Sequence, residues 1–120
     1  MTLAKDDLKE RLARYRGITI TVTGRKSGRA ISIPVWFVAE GAKLYLLPVR
    51  GSDTQWYKNV VKNPEIVIDA RGAKKKIKVV QLPDPKEVKS VVEKFREKYG
   101  AGDVKKYYSK FDVAVAGELE

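Results

Sequence analysis

Hydrophobic and polar residues alternate with a period of two in several short stretches, the pattern of half-buried β-strands. In the stretch ITITVT, Ile18, Ile20 and Val22 share one face, and threonines occupy the other. The same alternation follows in AISIPVWFVA, and further strand-like runs occur in KLYLLPV, EIVIDA, KKIKVVQL and FDVAVAG. The pattern therefore predicts six short strands.

Two other stretches have the period of an amphipathic helix. In KDDLKERLARYRG, the apolar residues Leu8, Leu12 and Tyr15 form one stripe. The clearest helix is DPKEVKSVVEKFREKYG, with Asp84 as the N-cap, a proline at the first helical position and Gly100 as the stop signal. Shorter helices are predicted in QWYKNVVKNP and DVKKYYSK.

The order of these elements predicts an α+β protein, mainly β. Strands joined by short hairpins indicate an antiparallel sheet, and six of them in 120 residues close most economically into a small barrel with the helices outside. This length suits a single domain over residues 1–120. The ending Leu119-Glu120 resembles a cloning remnant, and we assign it no structural role.

Composition limits the chemistry. The chain contains no cysteine and no histidine, which excludes disulfides and catalysis through histidine and leaves no soft ligands for a metal site, so we expect no metal. No apolar stretch approaches a membrane span and no signal-peptide core is present, so we expect a cytoplasmic protein. The net charge of +10 favours an anionic partner, which could be nucleic acid, an acidic lipid surface or a phosphorylated small molecule, although a lysine-rich solvated surface would also account for it.

Three groups of residues could carry chemistry. The hairpin GRKSGR sets charged donors on a tight glycine-flanked turn, a combination that suits phosphate, although an ordinary solvated hairpin would look similar. The segment PVRGSDTQWYKN places a cation and a glycine before a short helix. A third group is the tyrosines Tyr99, Tyr107 and Tyr108, which could donate protons or simply pack.

The blocks TVTGRKSGRAISIPVWFV, LYLLPVRG and QWYKNVVKNPEIVI occur in this order over about residues 18–70. Together they resemble the deazaflavin-dependent nitroreductase family, part of a superfamily of split β-barrel flavin and deazaflavin oxidoreductases that is similar to the pyridoxamine 5'-phosphate oxidase-like FMN-binding barrels. The resemblance implies a six-stranded antiparallel split β-barrel with flanking helices. It also implies a cofactor, coenzyme F-420 (8-hydroxy-5-deazaflavin), with FMN as the alternative.

By the same resemblance, the hairpin cations would grip the cofactor phosphate, a strand wall would lie beside the ring, and a cation-glycine pair and a Trp-x-x-Asn helix would complete the site. The cofactor-binding residues so implied are Arg25, Lys26, Ser27, Gly28, Arg29, Pro34, Trp36, Arg50, Gly51, Trp56 and Asn59. Candidates for a hydroxyl that stabilises charge on the reduced acceptor are Tyr107, Tyr108 and Ser52.

The predicted function is hydride transfer from reduced deazaflavin to a small electron-poor acceptor such as a quinone, a nitroaromatic or an enone. The cofactor supplies the redox chemistry, so the protein needs neither histidine nor metal. Alternatives are an FMN-binding split barrel, a cofactor carrier, and a small basic nucleic-acid-binding barrel. Nucleic acid is disfavoured because the AKKKIK run contains no aromatic residue for base stacking. Split barrels often pair, so a homodimer is expected.

Overall fold

The structure, a computed structural model, describes the backbone of residues 4–119 and the side chains of residues 8–119. Its four helices, six strands and one 3-10 turn follow the predicted order, and α4 begins two residues earlier than the predicted stretch. The elements are α1 Ala4–Arg14, β1 Gly17–Thr23, β2 Ala30–Glu40, β3 Lys43–Leu46, the 3-10 turn Gly51–Asp53, α2 Gln55–Lys62, β4 Glu65–Ala70, β5 Ala73–Leu82, α3 Pro85–Tyr99, α4 Ala101–Tyr107 and β6 Ala114–Glu118.

The six strands form a closed antiparallel barrel in the order β1-β2-β3-β6-β5-β4, which confirms the predicted fold class. Closure depends on β2, which is long enough to pair with two neighbours. Its first part, Ala30–Trp36, pairs with β1, and its second part, Phe37–Glu40, pairs with β3. The change of partner at Trp36 and Phe37 is the place where the barrel splits.

The barrel interior holds the predicted apolar faces of the strands. Ile18, Ile20 and Val22 of β1 are all buried, as the alternation predicts. Leu119 is also buried in this core, and its amide donates to the carbonyl of Ala42, so this leucine has a structural role that was not expected from the sequence. Glu120 lies outside the described residues. A second apolar cluster lies outside the barrel, where α3 and α4 cover β2 and β3.

Local sequence signals set the helix ends. Asp84 accepts a hydrogen bond from the amide of Lys86 at 2.8 Å and so caps α3, and Gly100, with φ of 95°, follows its last residue. Asn63 follows α2 directly, immediately before Pro64, as predicted. None of the described helices is long and apolar enough to cross a bilayer.

Tyr99, at the end of α3, closes the gap where the barrel splits. Its hydroxyl accepts from the amide of Phe37 at 3.1 Å and lies within hydrogen-bond distance of the carbonyls of Phe37 and Arg16. The hydroxyl thus replaces the strand partner that the Phe37 backbone lacks on its β1 side. Tyr99, one of the tyrosines singled out from the sequence, is therefore an anchor between α3 and the barrel.

Lys98 lies beside this anchor, with its Nζ donating to the carbonyl of Phe37 at 2.8 Å and lying 3.5 Å from the Phe37 ring centroid. Burial, aided by the positive charge of Arg16, lowers the pKa of Lys98 from 10.5 to about 8. The folded state therefore releases the Lys98 proton more easily than the unfolded chain does. Between about pH 8 and 10.5 the unfolded chain binds more protons, so stability rises with pH through this window.

We expect this effect to disappear in Lys98→Met. Between pH 7 and 10, the free energy of unfolding of the parent should rise relative to the variant by about 1–2 kcal/mol, a figure reduced from the full shift because Lys98 is only partly buried. Urea unfolding of both proteins at several pH values measures it. Stability curves that stay parallel over the whole range would show that Lys98 does not titrate in this window.

Candidate functional site

A groove of about 760 Å³ runs over the β1–β2 face beside α4 and the N-terminal end of α2. Its size lies within the range of small-molecule and cofactor sites. Most of its lining is apolar or aromatic, with a few polar side chains at its ends. Among the residues predicted to bind the cofactor, Pro34, Trp36 and Trp56 line it, as do Tyr107 and Tyr108.

Aromatic rings build one wall of the groove. Trp36 stacks on Tyr99 with ring centroids 4.2 Å apart and an interplanar angle of 6°. Tyr107 meets the same indole edge-on, at 5.5 Å between centroids. Because Tyr99 is itself anchored to the barrel, Trp36 is held in a fixed orientation. The wall can therefore pack against a planar ligand ring without a large loss of side-chain entropy.

Tyr107 and Tyr108 both line the groove, but the exposure of their side chains differs. Tyr107 is 51% exposed, whereas Tyr108 is only 5% exposed and packs against Phe95. Burial, reinforced by Tyr99, raises the pKa of Tyr108, so its hydroxyl keeps its proton. That hydroxyl bonds to no described residue and is not sealed from solvent, so it can donate to a ligand in the groove.

The hairpin turn at residues 24–29 is compact and cationic. Its backbone closes through bonds from Gly24 to the carbonyl of Arg29 at 2.8 Å and from Gly28 to the carbonyl of Gly24 at 2.9 Å. The amides of Lys26 and Ser27 bond to no other described residue, and Lys26 and Arg29 are exposed with free side chains. Gly28 has φ of 72°, a conformation that favours glycine. This donor set fits a phosphate group.

Arg25 has a different environment from the other hairpin cations. Its amide and its guanidinium both donate to Oδ1 of Asn59, at 3.0 and 2.9 Å, and the guanidinium also donates to Gln55 at 2.9 Å. Asn59 is 5% exposed and contacts the hairpin instead of the groove. The structure therefore places Arg25 and Asn59 as the contact that fixes the turn against α2.

The cation-glycine pair lies at the start of the 3-10 turn before α2, with Arg50 directly before its first residue, Gly51. Arg50 follows Val49, which lines the groove, and its guanidinium is exposed and bonds to no described residue. Ser52 lies outside the groove, and its amide and hydroxyl donate to the carboxylate of Asp112 at 2.9 and 2.5 Å. The hydroxyl of Ser52 is thus already engaged, which makes it a poorer candidate for acceptor chemistry than the tyrosines.

Asp112 fixes this turn by accepting hydrogen bonds from Ser52. It was not among the site residues predicted from the sequence. Partial burial disfavours its charged form, but the bonds from Ser52 and the nearby Lys110 outweigh this, so the pKa of Asp112 lies below its ordinary value. Gly51, with φ of 54°, packs so closely against Asp112 that a β-carbon would collide with the carboxylate. The contact joins residues 60 apart in the chain, and no local pattern reveals it.

Two further groove residues were missed, Asp69 and Arg71 at the β4–β5 turn. A signal existed in the sequence, because RG occupies a two-residue hairpin turn where Asn-Gly is the usual choice.

The lysines of the AKKKIK run on β5 differ in their exposure to solvent. Lys74, Lys76 and Lys78 are exposed, whereas Lys75 is partly buried and donates to the carbonyl of Leu119 at 2.6 Å.

No group of side chains among residues 8–119 could hold a metal ion. The polar chemistry of the site in this part of the chain therefore consists of the cationic turn, the tyrosine hydroxyls and the Asp69–Arg71 turn. These groups can bind an anion, orient a planar ring and donate hydrogen bonds.

The closed six-stranded barrel with an aromatic groove on its outer face defines the class, that of the split β-barrel proteins. Several solved structures share this fold. An F420-H2 dependent reductase superposes with a TM-score of 0.63 at 20% identity, covering 86% of this chain and 94% of that chain. HutZ, the heme storage protein from Vibrio cholerae, has a TM-score of 0.71 at 13% identity, covering 99% and 92%. A Listeria innocua protein assigned as a pyridoxamine 5'-phosphate oxidase has a TM-score of 0.68 at 12% identity, covering 97% and 92%.

Within this class, residues 9–115 match a family described as an uncharacterized protein conserved in bacteria (DUF2255), and the chain belongs to that family. No curated protein matches the sequence. The predicted split-barrel fold is confirmed, and at these identities the solved structures establish the fold alone.

Proposed function

We propose that this protein is an oxidoreductase that binds a deazaflavin coenzyme, or alternatively FMN, and transfers hydride to a small electron-poor acceptor. The observation that supports this proposal is the position of α2 between the two halves of the site. Gln55 and Asn59 hold the cationic turn through Arg25, while Thr54 and Trp56 line the groove. The cationic turn, which would hold a phosphate, is therefore adjacent to the aromatic groove, which would hold a ring.

The residues present fit such a coenzyme. Lys26, Arg29 and the free amides of the turn would hold the phosphate, and Arg50 would contact the anionic tail. Because β-strand residues advance by about 3.3 Å each, the turn lies roughly 13 Å along β1 from Thr19 in the groove, a separation that an elongated coenzyme can span. The preference for deazaflavin over FMN rests on its additional carboxylates, which make better use of the excess positive charge.

The bound coenzyme would supply the hydride chemistry. The protein's own groups would orient the ring against Trp36, exclude water with the apolar walls, and stabilise negative charge on the acceptor. Tyr108 suits the last role because it lines the groove and its hydroxyl stays protonated. Tyr107, on the exposed rim, would contact the acceptor. Quinones, nitroaromatics and enones are the proposed acceptors, and one domain over residues 1–120 would contain the whole site.

Titration of the purified protein with each coenzyme tests the proposal. We expect saturable binding of the deazaflavin coenzyme, and oxidation of its reduced form when menadione or a nitroaromatic is added. Tight binding of FMN without binding of the deazaflavin coenzyme would identify FMN as the coenzyme. Binding without oxidation by any acceptor would favour a cofactor carrier, and one structural neighbour is described as a heme storage protein. Absence of binding of both would overturn the proposal. Sedimentation of the same sample would test the predicted homodimer.

The nucleic-acid alternative makes a different prediction for the β5 lysines. Replacing Lys74, Lys76 and Lys78 with Gln should leave coenzyme oxidation within a few-fold of the parent, because exposed charges act mainly through screened attraction. Lys75 is retained because it bonds to Leu119. If the protein instead binds nucleic acid, each lost phosphate contact should reduce the log–log salt slope of binding by about 0.9 for a duplex.

Fluorescence anisotropy of a labelled oligonucleotide, measured beside the coenzyme assay on one preparation, separates the two. Tight oligonucleotide binding that the triple variant abolishes, with no coenzyme oxidation in either protein, would favour the nucleic-acid function.

A further inference from the structure

The β4–β5 turn forms one end of the groove, and its residues Asp69 and Arg71 line it. Arg71 has φ of 54° and is followed by Gly72 with φ of 104°. Among the described residues, Arg71 is the one non-glycine residue with positive φ. Side chains longer than Asn rarely adopt this conformation, so the turn holds an arginine where a smaller residue would fit with less strain.

The surroundings hold this turn in one arrangement. Oδ1 of Asp69 accepts from the amide of Gly72 at 2.7 Å, and Arg11 from α1 donates to the carbonyls of Ala70 and Arg71. The guanidinium of Arg71 lies over the ring of Tyr15, 4.4 Å from its centroid. The Asp69 side chain is thus held by its bond within the turn, and the Arg71 side chain by its contact with Tyr15.

Asp69 and Arg71 nevertheless leave hydrogen-bonding capacity unused. They form no ion pair with each other or with any other described residue, so Oδ2 of Asp69 and the guanidinium N–H groups of Arg71 remain available. An acceptor and a forked donor therefore lie two residues apart at the end of a mostly apolar groove. A ligand that presents an N–H group next to a carbonyl would satisfy both.

We propose that Asp69 and Arg71 recognise the imide edge, CO–NH–CO, of the tricyclic ring. Asp69 would accept from the ring N–H and Arg71 would donate to an adjacent carbonyl, which orients the ring in the groove. This inference rests on the proposed function and extends it to the ring end of the site, away from the phosphate. Flavin and deazaflavin rings share this edge, so the pair would serve either coenzyme.

Two variants separate recognition from folding. In Arg71→Asn, the new side chain tolerates positive φ, so the thermal midpoint should stay within about 3 °C of the parent. Affinity for FMN and for the deazaflavin coenzyme, each titrated separately, should fall about tenfold or more, the scale of a hydrogen bond to a charged group. In Asp69→Asn, the amide keeps an acceptor for Gly72 but presents N–H in place of the free carboxylate oxygen.

FMN methylated at the imide nitrogen completes the design, because it has no N–H to donate. Asp69→Asn should weaken FMN binding about tenfold but change binding of the methylated form less than about twofold. Equal losses for both forms would show a merely structural role for Asp69. If binding depends on Lys26 but is unchanged in both turn variants, this inference is wrong and the proposed function stands. If the parent binds neither FMN nor the deazaflavin coenzyme, both this inference and the proposed function are wrong.

Discussion

The variant Lys26→Ala/Arg29→Ala should bind the coenzyme about 30-fold more weakly, or worse. Each charge-assisted hydrogen bond to a phosphate contributes about 1–3 kcal/mol, and both side chains are exposed with no described partner that would compensate for the loss. Arg25 is left intact because it holds the turn against α2. Isothermal titration at two salt concentrations measures the change, and the difference from the parent should shrink as salt rises.

A matched control removes two charges elsewhere. Lys86 and Lys89 are exposed on α3 and line no part of the groove, so Lys86→Ala/Lys89→Ala changes the net charge equally without touching the turn. We expect this control to bind within about twofold of the parent at moderate salt. Equal losses in the two double variants would assign the effect to long-range attraction, and no loss in the Lys26/Arg29 pair would place the phosphate elsewhere.

Gly51→Ala should destabilise the fold by about 2–4 kcal/mol. The backbone at this position has φ of 54°, which disfavours alanine, and the added β-carbon would displace the Asp112 carboxylate from its bonds to Ser52. Chemical denaturation of the variant and the parent measures the loss. We also expect weaker coenzyme binding, because the same turn carries Arg50 and leads into α2.

Making the same substitution in an Asp112→Ala variant separates the cost of the backbone conformation from the cost of the collision. With Asp112→Ala already present, the collision with the carboxylate is gone, and the remaining close contact, with Cγ of Lys110 at 3.0 Å, involves a flexible side chain that can move. Gly51→Ala should then cost mainly the backbone term of about 1–2 kcal/mol. Equal costs in both backgrounds would mean that the Asp112 contact contributes nothing to the requirement for glycine.

The fold by itself does not decide what the protein does. Similar barrels occur in an F420-H2 dependent reductase and in a heme storage protein. Function on a shared fold depends on the site. Here the site combines a cationic turn, an aromatic wall and a donor–acceptor turn, and experiments on Lys26, Arg71 and Tyr108 address these parts separately.

Much of the architecture could be predicted from local sequence. The alternation in β1 predicts which residues enter the core, and the Asp84 cap and Gly100 bound α3 as expected. Such signals are readable because strand and helix periods depend on residues two to four apart. The ordered blocks over residues 18–70 extended this to a split barrel, which the structure confirms.

The assembly of the site depends instead on contacts between distant residues. Asn59 meets Arg25 across 34 positions, and Asp112 meets Ser52 across 60. Arg71 enters the groove only because β4 pairs with β1 in one register. Periodicity assigns each side chain to a face, but barrel closure and strand register decide which faces meet. The sequence alone therefore determined the strands, the helices and the cationic turn, whereas the tertiary structure decided which cations remain free for a ligand and which ones hold the fold together.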